Sequence, residues 1–289
     1  MMSTRFYRFC GTDFKITMAQ GMMFKDEHRL APFAVKETSA EHEFLFEKAD
    51  ELPLPVGEHA ASQENMAVFL DGEKEIRYIG ANEHGIGRAY IRAEHDGKEH
   101  RVLLLTKKFP GGIGTHTVLE SLGAEHIAIQ NHGVILHCSY IEHRGKAILF
   151  TAPSGTGKST QAELWKKLRG TEIINGDRAF LHETDGKFFA EGIPFAGSSE
   201  YCENRILPLE AIVYLGQAPV TTVKRIYGYE AFSKIWEGIS VNTWSKGDME
   251  KASDTVKDAA EKTAVFFMPC TPDEDAVIAL EKAIEGERP

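Results

Sequence analysis

Lys146-Ala147-Ile148-Leu149-Phe150-Thr151 leads without a break into Ala152-Pro153-Ser154-Gly155-Thr156-Gly157-Lys158-Ser159, and a helical pattern runs on from Ser159 to Leu168. The first six residues read as a strand. Beyond Ser159, Ala162, Leu164, Trp165 and Leu168 fall on one side of a helix. Strand, glycine-rich loop and helix in that order are the setting of a phosphate-binding loop. The small residues let successive backbone N–H groups converge on phosphate oxygens, and Gly157 lets the chain pass close to them. Lys158 supplies an ammonium for the outer phosphates, Ser159 a hydroxyl for Mg²⁺, and the helix directs its positive end at the anion. A Gly-rich turn that binds nothing is the bland alternative, and the flanking strand and helix count against it.

Past the helix comes Glu172-Ile173-Ile174-Asn175-Gly176-Asp177-Arg178. An apolar strand ending in a carboxylate beside the phosphate-loop strand is where such proteins hold Mg²⁺ or a catalytic base, so Asp177 is the candidate for either role or both. An Asp in an ordinary turn is the competing reading.

Composition narrows the field. The chain has 289 residues, 42% of them hydrophobic, enough for a substantial core in one large or two modest domains. A net charge of −10 disfavours a nucleic-acid partner. No apolar run reaches membrane-spanning length. Met1–Phe9 lacks the apolar stretch of a signal peptide, and Cys10, Cys138, Cys202 and Cys270 lack paired spacing. These features lead to the expectation of a cytoplasmic protein with free thiols.

Outward from the loop, the chain is expected to fall into a β-rich domain over 1–115 and a phosphate-loop domain over 116–289. In the first, strands are expected at Arg5–Cys10, Phe14–Met18, Glu43–Glu47, Met66–Leu70, Ile76–Ile79, Arg88–Arg92 and Arg101–Thr106. A turn is expected at His95-Asp96-Gly97 and a loop over Pro53–Gln63. In the second, dense apolar runs at Gly133–Leu136, Ala147–Phe150, Ile173–Ile174 and Ala211–Leu215 read as buried strands. Helices are expected at Tyr229–Trp236 and Met249–Val265, with another beyond Thr271, which is read as its N-cap. The fold class is α/β with a mixed sheet. In the polar stretch beyond residue 197, Ser198 and Arg205 are candidates to hold the acceptor, with a plain turn and a salt-bridged Arg as the alternatives.

Ser154-Gly155-Thr156-Gly157-Lys158-Ser159 followed by a helix and Ile174-Asn175-Gly176-Asp177-Arg178 resembles the HPr kinase/phosphorylase group, which is related to the ATP-dependent phosphoenolpyruvate carboxykinases. Leu136-His137-Cys138-Ser139 matches the group's His upstream of the loop without a gap. Gly192–Gly197, Pro208–Ile212 and Cys270–Val277 are similar to HPr-kinase-like proteins of unassigned substrate. The resemblance covers roughly residues 127–285. It implies a phosphate-loop kinase core using ATP and Mg²⁺. Ser154, Gly155, Thr156, Gly157, Lys158, Ser159 and Thr160 would hold the nucleotide, and Ser159 and Asp177 the metal. Asp177, His137 and Lys158 would carry the chemistry. In this group two adjacent Asp residues are common where this chain has Gly176-Asp177, and a Glu stands where it has Thr160.

The expected function is transfer of the γ-phosphoryl group to a hydroxyl of a small molecule or a peptide serine. Two alternatives are an inert nucleotide-binding regulator, favoured by Gly176, and a carboxykinase-like enzyme. HPr kinases form hexamers, so a homo-oligomer stays open.

Overall fold

The computed structural model describes residues 2–26, 29–63, 65–81 and 85–286. Two mixed sheets and six α-helices are present among them. The chain divides into two compact units, Met1–Ala124 and Glu125–Pro289. Residues 116–124, assigned to the second domain from sequence, lie with the first unit because their helix packs on its short strands. No described helix is long and apolar enough to cross a membrane.

The first unit contains β1 (Ser3–Phe9), β2 (Thr12–Met18), β3 (Phe24–Asp26), β4 (Ala34–Val35), β5 (His42–Ala49), β6 (Glu58–Gln63), β7 (Met66–Asp71), β8 (Lys74–Ile79), β9 (Ile91–Asp96), β10 (Glu99–Leu105), β11 (Ile113–Gly114) and α1 (Thr115–Glu120). Nine strands form one sheet in the order β4-β1-β2-β5-β10-β9-β8-β7-β6. Period-2 alternation buries Phe9, Phe14, Phe44 and Phe46 in its core.

Three expectations are corrected here. Pro53–Gln63 is not all loop: Glu58–Gln63 forms β6, the outer strand against β7. Its sequence, Glu-His-Ala-Ala-Ser-Gln, has no apolar alternation because an edge strand that buries no side chain needs none. Gly57 lets the chain enter this pairing, since a Cβ there would lie 2.1 Å from the Leu70 carbonyl oxygen. The strand placed at Arg88–Arg92 starts only at Ile91, after a 3₁₀ turn at Ile86–Arg88, and the hairpin turn is at Gly97-Lys98.

The second unit follows with α2 (Ala124–Gln130), β12 (Gly133–His143), β13 (Lys146–Thr151), α3 (Lys158–Arg169), β14 (Glu172–Asn175), β15 (Arg178–Thr184), β16 (Lys187–Gly192), β17 (Ile206–Gln217), β18 (Lys224–Arg225), α4 (Gly228–Trp236), β19 (Ile239–Ser240), α5 (Lys246–Lys262), β20 (Ala264–Cys270) and α6 (Glu274–Gly286). β13, β17 and β20 are parallel neighbours. Apolar side chains cover both faces of β13, as a strand in a buried parallel sheet requires. Ile148 and Phe150 pack with Trp165 of α3 and Val277 and Leu280 of α6. Leu149 faces the other way, into the cluster holding Ile235 of α4 and Val256 of α5.

The helix expected over Met249–Val265 is shifted. It starts at Lys246, where Ser245 Oγ accepts the backbone N–H of Asp248 at 3.2 Å, and it stops at Lys262. Val265 belongs instead to β20, which begins at Ala264 after the polar Glu261-Lys262-Thr263 that closes the helix. The cap of α6 is also corrected. Asp273, not Thr271, accepts the N–H of Ala276, at 3.2 Å.

Candidate functional site

β12 is shared between two sets of partners, and the site lies where they part. Gly133–His137 pairs with β15, while Cys138–His143 pairs with β13. β14 ends at Asn175 and β15 begins at Arg178, so Gly176 and Asp177 bridge the same fork. Diverging strands leave a crevice at their ends, the usual place for a ligand in an α/β sheet.

Asn175 fixes the bridge. It is wholly buried, its Oδ1 accepts the backbone N–H groups of Asp177 (2.9 Å) and Arg178 (3.0 Å), and its Nδ2 donates to Ile193 O at 2.7 Å. The Asp177 carbonyl accepts Cys138 N–H at 2.9 Å. The carboxylate is thereby presented to His137, whose Nε2–H donates to Oδ1 at 3.1 Å, and to Arg178, whose Nε–H donates to Oδ2 at 3.2 Å. An ionised carboxylate only accepts, so His137 carries its proton on Nε2. Burial pushes the Asp177 carboxyl up, but the His137 hydrogen bond and the Arg178 guanidinium outweigh it and hold it below its ordinary value.

The loop after β13 stands opposite. Gly155 and Gly157 take positive φ (77° and 118°), conformations that few other residues adopt, and α3 begins at Lys158. Lys158 is only 8% exposed, and its Nζ donates to the Ala152 carbonyl at 2.9 Å and more weakly to that of Pro153 at 3.4 Å. No carboxylate forms a salt bridge with it among the described residues, and burial pushes its pKa down. A buried ammonium hydrogen-bonded to backbone carbonyls, with the Asp177 charge acting on it through space, at a helix N-terminus, suits an anion.

One cleft of about 620 Å³ collects most of the sequence-derived candidates: His137, Ser154, Gly155, Lys158, Ser159, Thr160, Asp177 and Ser198 among them. Gly157 borders it too, and with Gly155 and Thr160 it also borders a second cavity of about 540 Å³. Thr156 faces only that second cavity, with Leu215, Pro219, Cys270 and Pro272. Arg205 is not brought into the cleft. It lies between two carboxylates, paired with Glu142 and, at 2.6 Å, with Glu172. Its reading as an acceptor clamp is replaced by the salt-bridged alternative.

Sequence reasoning gave no role to Asn175 or Ser139, and took Ser199 only as part of a candidate substrate loop at Gly197–Ser199, with a plain turn as the alternative. Asn175 had a signal, since Asn-Gly-Asp is a turn in which the first side chain bonds backbone two residues on. Ser139 Oγ–H donates to Gly176 O at 3.2 Å, and Ser199 packs against Gly176. No local pattern marks either.

The chain matches no protein-family model and no curated protein. Among solved structures it is similar to the HPr(Ser) kinase/phosphatase from Coxiella burnetii, with 9% identity over 53% of this chain and 99% of that one and a TM-score of 0.34. A likeness that low leaves any functional reading to the residues of the cleft.

Proposed function

We propose that the second unit is an ATP- and Mg²⁺-dependent kinase that transfers the γ-phosphoryl group to a hydroxyl. The observation that carries this reading is the presence, in one cleft, of a buried Lys158 at the start of α3, hydrogen-bonded to backbone carbonyls, and an ionised Asp177. The donor set fits the nucleotide and metal. Lys158 would turn from the Ala152 and Pro153 carbonyls to the outer phosphates, and Ser159, Thr160 and the loop N–H groups would complete the cradle. Ser159 and Asp177 would hold Mg²⁺, which when bound neutralises phosphate charge. The second cavity, bordered by the same glycines and lined by Leu215, Pro219 and Pro272, suits the nucleoside.

Asp177 is the base. A carboxylate kept ionised takes the proton of the attacking hydroxyl, while His137 and Arg178 fix its orientation from two sides. Gly176 is no mark of lost turnover in this reading: a Cβ there would fall 2.1 Å from Ser199 Oγ, so that space is already filled.

The test separates binding from chemistry. Lys158→Ala should abolish binding of labelled ATP. Asp177→Asn should bind it normally yet lower acceptor-dependent ADP release by about 10²-fold or more. Undiminished release in Asp177→Asn would remove the base assignment. Binding without turnover by the wild-type chain, over a broad acceptor panel, would favour the inert regulator.

A further inference from the structure

The charges around the acceptor side of the cleft select a class of acceptor, an inference that rests on the kinase reading above. Lys158 is the one Lys or Arg among the described residues that line this cleft, and in the kinase reading the nucleotide phosphates occupy it. Against it stand three carboxylates: Asp177 inside, and Glu163 and Glu200, both exposed. The neighbouring cations are committed elsewhere. Arg178 holds Asp177 and reaches Ser240 Oγ at 3.3 Å, while Arg205 lies between Glu142 and Glu172. Lys166 does not line the cleft. Its Nζ donates to the Tyr201 hydroxyl at 3.0 Å, and that hydroxyl donates to Glu163 at 2.9 Å, so its charge is offset locally. Of the other polar groups that line the cleft away from the loop, Ser139, Ser198, Ser199 and Tyr201 offer neutral hydroxyls, and His137 is engaged with Asp177.

We infer that the acceptor is a hydroxyl compound without negative charge, that a cationic one is preferred, and that Glu163 and Glu200 set this preference. A phosphorylated or carboxylate-bearing acceptor would meet bound nucleotide, the exposed Glu200, and Glu163 and Asp177, whose charges Lys166 and Arg178 offset only in part, and no second Lys or Arg lines the cleft among the described residues to receive it. A neutral or cationic hydroxyl meets hydroxyl partners and an attractive rim. In the transfer step the acceptor oxygen forms a bond to the γ-phosphorus, the bond from that phosphorus to the β–γ bridging oxygen breaks to leave ADP, and the hydroxyl proton passes to Asp177.

The experiment uses the full chain with ATP and Mg²⁺ at low ionic strength and measures ADP release. The acceptors are serine pentapeptides flanked by lysine, by glycine or by glutamate, together with a polyol and its phosphate ester. The lysine-flanked peptide should exceed the glutamate-flanked one in kcat/KM by about tenfold or more, and the polyol should exceed its ester, as rim charges at this distance allow. Glu163→Gln with Glu200→Gln should cut the peptide ratio several-fold while the chain still binds labelled ATP, and added salt should shrink the ratio. Equal or better use of the anionic acceptors, or a ratio indifferent to the double substitution, overturns the inference. Failure of the kinase reading itself, which would take the inference with it, would look different: wild type and Lys158→Ala would bind labelled ATP alike, or the wild type would bind it and turn over none of the acceptors.

Discussion

At the scale of single residues, Asp177 is held by opposing influences, and their balance is measurable. Its folded-state pKa lies below the ordinary carboxylate value despite burial, because His137 and Arg178 outweigh the desolvation. A depressed carboxyl contributes stability that is fully present above its unfolded value of about 3.9 and is lost as pH falls through the lower folded value. The same sign places the acid limb of the rate profile below the usual carboxylate range. His137→Ala leaves burial less opposed, so that limb should move to higher pH. A pH profile of kcat/KM checks it, and an unmoved limb would mean that His137 does not set the state of Asp177. Gly176 offers a steric counterpart. Gly176→Ala forces a methyl onto Ser199 Oγ and should destabilise the chain by about 1–3 kcal/mol, as overpacking does. Ser199→Gly in the same chain should restore most of the loss in denaturant unfolding, and a loss that persists would place the cause elsewhere.

Among the elements, α3 connects the loop to the core. Trp165 is fully buried, lies edge-on to His143 with ring centroids 5.0 Å apart, and sits near Phe150 of β13. Trp165→Ala should therefore cost about 3–5 kcal/mol in chemical denaturation. Because the start of α3 carries Lys158, ATP affinity should fall with it. A variant of undiminished stability would show that the helix is not anchored by this side chain. The fork in β12 is the second organising element. One strand serving β15 along its first half and β13 along its second brings His137 beside Asp177, although 40 residues of chain separate them.

For the whole molecule, two compact units imply two cores, each with its own sheet. Calorimetry of the full chain should resolve two transitions. ATP analogue with Mg²⁺ at 100 times its Kd should stabilise the unit holding the loop by about 2.7 kcal/mol and leave the other unmoved. A single transition that shifts as one would show that the two units unfold cooperatively.

Much of the second unit was legible in the amino-acid order. The strand, loop and helix around Lys146–Leu168 form as read, because a buried parallel strand, positive-φ glycines and an amphipathic helix all leave local signatures. Lys158 at the start of α3 and Asp177 just beyond the end of β14 follow from the same local rules. What sequence missed has no local signature. β6 is an edge strand that buries no side chain, and Asp273 rather than Thr271 captures the first turn of α6. Tertiary structure alone decided that Arg205 lies between two carboxylates outside the cleft, and that Ser199 fills the space above Gly176. The physical reason is common to both. Periodicity and turn chemistry are properties of neighbours in the chain, whereas charge pairing and close approach belong to residues that only folding brings together.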